Sequence, residues 1–172
     1  MKELKLVKIN TKYCDYLRQF DSKVPYNYDK KEIRPFVGAL FYVNDFAYFA
    51  PLSSPKPKHK KLRNKLDFLK IDDGNLGAIN FNNMIPVTEN NIKYIYFDNT
   101  NEIDDDKYMK LLEKQYRWLN VNSEKIYNNS KKLYNKYVGN RLTKNIKDRC
   151  CNYLLLEEKC IEYNKSKILQ EV

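Results

Sequence analysis

Phe36-Val37-Gly38-Ala39-Leu40-Phe41-Tyr42-Val43-Asn44-Asp45-Phe46-Ala47-Tyr48-Phe49-Ala50 is the stretch whose reading decides the fold. Two aromatic-rich apolar runs flank Asn44-Asp45, residue types that tolerate the left-handed backbone of a two-residue turn, so the segment reads as a β-hairpin. Upstream, Leu4–Ile9 interleaves Leu4, Leu6 and Ile9 with lysines and reads as a short edge strand. Thr11–Phe20 places Tyr13, Tyr16, Leu17 and Phe20 on one helical face behind Thr11 as cap. Downstream, Phe68–Ile71 stops at the turn Asp72-Asp73-Gly74 and Leu76–Asn80 starts another strand. Met84-Ile85-Pro86-Val87 and Lys93–Phe97 supply one or two more.

From Asp104 the apolar period changes from that of strands to that of helices. Asp104 is a candidate cap, and Asp105 and Asp106 suit the positive end of the helix dipole. Tyr108, Leu111, Leu112, Gln115 and Leu119 then share one face. Ser123 opens the next helix, lined by Ile126, Ser130, Leu133 and Tyr137 and stopped at Gly139. A last helix is expected from about Asp148 to Tyr163, with Cys151, Leu154, Leu155 and Ile161 inward. No repeat and no Gly/Ser linker divides the chain. The expectation is α+β: one domain over residues 1–172, strand-rich over 1–100 and helical over 104–165. Its antiparallel sheet would have about six strands, partly surrounded by about four helices.

Apolar residues make up 42 % of the 172, with 15 Tyr and 8 Phe against one Trp, enough for a real core. The formal net charge is +10. Such an excess draws polyanions through phosphate neutralisation and counterion release, which favours nucleic acid over an anionic membrane or an acidic protein. No apolar run has the length of a bilayer span, and the alternating Met1–Asn10 does not read as a signal peptide, so a cytoplasmic protein with no membrane partner is expected. Cys14, Cys150, Cys151, Cys160 and the single His59 lack the recurring short spacings of a zinc site. Free thiols and no metal or cofactor are expected.

The segment Ala50-Pro51-Leu52-Ser53-Ser54-Pro55-Lys56-Pro57-Lys58-His59-Lys60-Lys61 leaves the hairpin strand as a loop. It sets two hydroxyls beside a cation between prolines, and six Lys/Arg fall between Lys56 and Lys65 with no acid among them. That chemistry suits phosphodiester cleavage in RNA. The ribose 2′-hydroxyl is the nucleophile, so the protein need only orient the phosphate, offset the charge that develops on its oxygens and manage two protons. Ser53 and Ser54 can orient and Lys56 can balance charge, while Lys58, His59, Lys60, Lys61 and Arg63 can track a backbone. The plainer reading is a solvated basic loop with Ser-Pro turn chemistry. His59, among lysines that would depress its pKa, reads as a binding residue and not as the base.

Val24–Phe36 crowds Tyr26, Tyr28, Lys30, Lys31 and Arg34 into a stretch without helical or strand period. Rings interleaved with cations can stack bases and hold phosphates of single-stranded RNA, or the rings can merely cover core. The region from Lys107 to Lys167 carries 15 Lys/Arg against 6 Asp/Glu, either the wet faces of helices or a surface for folded RNA. A DNA-binding regulator is not supported, because the two central helices lack a short Gly-containing turn between them.

In these segments the chain resembles the ToxN/AbiQ family of type III toxins. Six pieces occur in order: Phe20-Asp21-Ser22-Lys23-Val24-Pro25, Phe36-Val37-Gly38, Tyr48–Lys56 for the family's Tyr-x-Ala-Pro-Leu-(Thr/Ser)-Ser-Pro-Lys, Leu76–Asn80, Met84–Pro86 and Leu155–Lys159. The resemblance implies a strongly twisted sheet related to MazF-like toxins. It also implies metal-independent cleavage of A-rich mRNA and of the toxin's own repeat-encoded antitoxin transcript, leaving 2′,3′-cyclic phosphate and 5′-hydroxyl ends. It implies inhibition by the released RNA pseudoknots, typically in a closed ring of alternating protein and RNA, and a role in abortive infection against phage. By position the family's hydroxyl pair falls on Ser53 and Ser54 and its loop lysine on Lys56. A further family lysine meets Arg34, which keeps the charge but cannot act as a base. Its tyrosine meets Tyr28, with Tyr26 as the other choice, so the proton acceptor stays open among Tyr28, Tyr26 and Ser54. The alternative is a non-catalytic RNA-binding protein built from the same residues.

Overall fold

The computed structural model describes residues 3–26, 28–29, 32–97 and 106–170. In chain order the elements are β1 (Lys5–Ile9), α1 (Thr11–Arg18), β2 (Tyr28–Asp29), β3 (Glu32–Ile33), β4 (Phe36–Gly38), β5 (Tyr42–Val43), β6 (Phe46–Ser53), α2 (Pro57–Lys61), β7 (Phe68–Lys70), β8 (Ala78–Asn80), β9 (Ile85–Val87), β10 (Ile92–Tyr94), α3 (Asp106–Val121), α4 (Ser123–Val138), α5 (Lys144–Arg149) and α6 (Tyr153–Gln170). The fold is α+β, as expected. Among the described residues the main antiparallel sheet holds eight strands where about six were expected, because the strand at 36–43 divides into β4 and β5, both paired with β6, and both 85–87 and 92–94 join the sheet. β2 and β3 form a separate small hairpin. Among the described residues there are six α-helices, the expected four plus the short α2 and α5.

β6 is the hub. Its first seven residues are all buried, as expected of a strand covered on both faces. One edge carries β5 and then β4, and the other carries β9 and then β8. The Asn44-Asp45 turn forms as read, with Val43 opposite Phe46 and Asn44 at φ 50°. Pro86 lies in β9, which among the described residues pairs with β6 alone, so its missing N–H breaks no second ladder there.

β1 is not an edge strand. It pairs with β10 on one side and β4 on the other, and Leu6, Val7 and Ile9 are buried. The lysines that suggested an edge sit where the face opens to water. α3 seals the entry to this strand, since the Asn120 side chain both accepts from Leu4 N (2.9 Å) and donates to Leu4 O (3.1 Å).

Helix faces follow from the same packing. α1 is capped by Asn10, which accepts from Tyr13 N, and not by Thr11. It buries Tyr13, Cys14 and Leu17, while Phe20 stays exposed. Of the faces their periods indicate, α3 buries Leu112, Gln115 and Leu119 and α4 buries Ile126, Ser130 and Leu133, while Tyr108, Leu111 and Tyr137 are half-buried. The expected cap at Asp104 and the first-turn Asp105 lie outside the described residues.

The last helix begins later than expected, at Tyr153, and α5 precedes it. Its inward residues are Tyr153, Leu156 and Cys160, whereas Leu154 and Ile161 face water. Carrying Cys151 into the helical period had rotated the face, although Cys151 precedes the helix. From the Leu155–Lys159 motif in the first turns of α6, Glu157 accepts from both the Tyr48 hydroxyl of β6 and the Tyr134 hydroxyl of α4, each at 2.7 Å. One carboxylate oxygen thereby ties the hub strand to two helices.

The four cysteines are buried and free, and burial pushes the Cys14 thiol up to about 12. Among the described residues no helix is long and apolar enough to cross a membrane.

Candidate active site at the end of the central strand

β6 runs out of the core at Ser53, and the chain turns outward through Ser54, Pro55 and Lys56 into α2. Ser53 is half-buried, whereas Ser54 and Lys56 are exposed. Ser53 stands opposite Ala78 of β8, and Asn80 Nδ2 donates to Ser53 Oγ at 2.7 Å. With its oxygen already accepting, the Ser53 hydroxyl keeps its own proton to donate outward. Asn80 belongs to the Leu76–Asn80 stretch but was not read as a site residue. The strand period was the available signal, because Ala78 and Asn80 share a face of β8.

Sheet register brings cations to either side of Ser53. On the β4 side, Leu52 N donates to Pro35 O (3.0 Å), so the next step of that register sets exposed Arg34 beside Ser53. On the β8 side, Ala78 pairs with both Ser53 and Lys70. Directly opposed residues point to the same face, so Lys70 lies two strands from Ser53, on the order of 10 Å away. Lys70 too was missed, since nothing local links it to the Ser-Lys loop.

Beneath the loop lies the turn Asp72–Gly77. Four of its six residues, Asp72, Asp73, Gly74 and Gly77, have positive φ, which curls it tightly under the loop. Gly77 (φ 103°) backs directly onto the serines, because a Cβ there would sit 1.9 Å from Ser53 O. Gly74 (φ 93°) does the same under α2, where a Cβ would lie 2.9 Å from the His59 carbonyl carbon. From α3, Gln115 Nε2 donates to Leu76 O at 2.7 Å and holds the turn in place, while Gln115 Oε1 is buried without a hydrogen-bond partner.

His59 corrects the sequence expectation of a nucleic-acid contact. It is 2 % exposed, turned inward with its ring 6.0 Å from that of Phe68, and its Nδ1 has no hydrogen-bond partner. Burial, and then Lys58 and Lys56, hold its pKa below the usual imidazole value. Pro57–Lys61 is helical, so one residue of the turn faces the core and the others face out. Lys58, Lys60, Lys61 and Arg63 are accordingly exposed. Among the described residues Lys56, Lys58, Lys60, Lys61 and Arg63 take part in no ion pair. Uncompensated cations gathered beside two hydroxyls suit a phosphodiester backbone.

The second candidate segment is only partly described. Tyr26 is exposed and Arg18 lies 3.9 Å above its ring, while the same guanidinium donates to Val24 O and Pro25 O. Tyr28 contributes backbone to β2, opposite Ile33. Lys30 and Lys31 lie outside the described residues. Ser53, Ser54, Lys56 and Arg34 are thus brought to one end of the sheet, with Asn80 and Lys70 added.

Known proteins share both sequence and architecture with this chain. It is 37 % identical over 161 residues to the endoribonuclease ToxN of Bacillus thuringiensis subsp. kurstaki, an alignment covering 91 % of this chain and 82 % of that protein. A solved chain from work on selective inhibition of a type III toxin by a non-coding RNA pseudoknot superposes with TM-score 0.81 at 35 % identity, covering 95 % of this chain and 99 % of the other. AbiQ, a lactococcal anti-phage endoribonuclease of a type III system, superposes with TM-score 0.79 at 30 % identity over 95 % and 99 %. Residues 5–161 match the family described as the toxin ToxN of type III toxin–antitoxin systems, and the chain belongs to that family.

Proposed function

We propose that this chain, acting as one domain, is an endoribonuclease toxin that cleaves RNA without a metal ion. The supporting observation is the meeting of Ser53, Ser54 and Lys56 at the exposed end of β6, where among the described residues Lys56, Lys58, Lys60, Lys61 and Arg63 enter no ion pair. The 2′-hydroxyl oxygen bonds to the adjacent phosphorus and the phosphorus–5′-oxygen bond breaks. The nucleophile's proton passes to a base and the leaving oxygen takes up another. The products are a 2′,3′-cyclic phosphate and a 5′-hydroxyl.

In this reading Ser53, oriented by Asn80, donates to a phosphate oxygen. Ser54 holds the scissile phosphate or assists proton transfer, and Lys56 offsets the charge of the dianionic transition state. Arg34 binds a second phosphate oxygen. Tyr28 stacks a neighbouring base or acts as proton acceptor, a role also open to Tyr26 and Ser54. Lys58, Lys60, Lys61 and Arg63 guide the strand, with Lys30 and Lys31 proposed from sequence alone. His59 is left out of the contact set because it faces the core.

We further propose A-rich mRNA and the chain's own repeat-encoded antitoxin precursor as substrates, an RNA pseudoknot as inhibitor, and a closed ring of alternating protein and RNA. Phage abortive infection is the proposed role. The similar proteins support the pseudoknot inhibitor and an anti-phage role: one solved relative concerns toxin inhibition by an RNA pseudoknot and another is anti-phage. The test is cleavage of a defined RNA with product-end analysis. Ser54→Ala and Lys56→Ala should each abolish cleavage while leaving the melting curve intact, and EDTA should leave the native enzyme active. Full activity in both variants removes the site assignment. Loss in EDTA restored by magnesium removes the metal-free mechanism, and saturable binding without cyclic-phosphate product leaves a non-catalytic RNA binder.

A further inference from the structure

The opposite end of β6 holds a cavity whose chemistry is the reverse of the basic loop. It has a volume of about 600 Å³, within the usual range of small-molecule sites, and Ala47 and Phe49 form part of its wall. Phe49 is four residues from Ser53 and Ala47 six, which separates the two regions by roughly 13–20 Å along the strand. Five further aromatic residues, Tyr42, Tyr94, Tyr96, Phe97 and Tyr116, border the space together with aliphatic Ala39, Val87 and Ile95. Tyr94 and Tyr96 have ring centroids 6.3 Å apart, and Phe97 and Tyr116 5.2 Å.

Two of the tyrosine hydroxyls are already committed. Tyr94 donates to Glu89 at 2.8 Å, and Tyr116 donates to Glu3. These two residues therefore offer the cavity ring surface more than a free hydroxyl. Among the described residues Glu3, Asp45 and Glu89 border the space against one cation, Lys5, which is itself paired with Glu3. In a chain of net charge +10, a pocket with three carboxylates and one lysine is a local reversal of sign. Aromatic faces carry negative quadrupole potential and attract ammonium and guanidinium groups, and nearby carboxylates add to that attraction. The same groups repel phosphate, so the cavity is no continuation of an RNA-binding surface.

We infer that this cavity is a binding site for a small organic cation, an alkylammonium or guanidinium group on an apolar stem. Tyr42, Tyr94, Tyr96, Phe97 and Tyr116 receive the stem and the charged head, and Asp45 and Glu89 neutralise it. The site does not depend on the catalytic reading, and its occupant stabilises the fold by mass action.

The test is calorimetric titration of the full chain with spermidine, and separately with agmatine as the guanidinium probe. The neutral diol 1,8-octanediol serves as the control for the stem. One saturable event with either cation is expected, absent with the diol and weakened by raised salt. Tyr96→Ala should weaken it about two- to five-fold by removing one ring. Asp45→Asn and Glu89→Gln should weaken it as well, whereas Lys56→Ala at the far end of the strand should not. Tyr96, Asp45 and Glu89 are exposed, and a thermal melt of each variant checks that the fold is kept. Spermidine alone, or agmatine alone, identifies the preferred head group. Absence of saturable binding by both, equal binding of the diol, or wild-type affinity in all three folded variants overturns the inference.

Discussion

Replacing Gly77 by alanine places one methyl group against the proposed catalytic loop, and the structure sets the size of the effect. The added Cβ would start 1.9 Å from Ser53 O, where about 3.0 Å is the least that real contacts show, so the Ser53 carbonyl must retreat by roughly 1 Å. That carbonyl belongs to the end of β6, where Ser53 pairs with Ala78, so the retreat strains the ladder that orients Ser53 towards Asn80. The positive φ of 103° adds about 1–3 kcal/mol of backbone strain for a residue with a side chain. A misplacement of about 1 Å in positioning groups can cost on the order of 100-fold in rate. Gly77→Ala should therefore lower kcat for RNA cleavage by about two orders of magnitude and stability by about 2–3 kcal/mol. RNA affinity should stay within a few-fold, since the α2 lysines do not move. The assay is single-turnover cleavage of a short RNA beside urea denaturation and equilibrium binding. A variant with wild-type kcat and wild-type midpoint would refute the reasoning that the turn sets the serine geometry.

Gln115→Ala strands Leu76 O and should cost about 1–3 kcal/mol, with a fall in kcat larger than any change in RNA affinity; an unchanged kcat in the folded variant separates α3 from the site. Glu157→Ala removes the acceptor shared by Tyr48 and Tyr134 and leaves the fully buried Tyr48 hydroxyl unpaired. Its urea midpoint should drop by an amount equivalent to about 1–3 kcal/mol, and an unaltered midpoint counts against the tie. His59 is the only histidine, and its folded pKa lies below the unfolded value. As pH falls through about 6.5 the unfolded chain takes up a proton that the folded chain refuses, so stability declines by up to about 1.4 kcal/mol per pH unit until the folded imidazole also protonates. Denaturation midpoints between pH 7 and 5 should show that slope, and His59→Gln should be flatter; parallel curves would remove it.

Much of this molecule is local and could be read as such. The Asn44-Asp45 hairpin, the changeover to helices after residue 104, the inward faces of α3 and α4 and the hydroxyl–lysine grouping of Ser53, Ser54 and Lys56 rest on turn chemistry, apolar period and residue adjacency. Each acts over a few residues. What tertiary structure alone decided is what covers a face and what crosses it. Lysines made β1 look like an edge, yet two strands flank it. His59 shares a basic run with lysines, but the helical turn sends it into the core. Ser53 owes its setting to Asn80, to Arg34 across β4, to Lys70 two strands away, and to Gly77 held through Leu76 by Gln115. Those partners meet only through sheet register and helix docking. A one-dimensional period reports which side of an element is apolar and carries no record of its neighbour across the pairing, so the support of the site had to come from the folded chain.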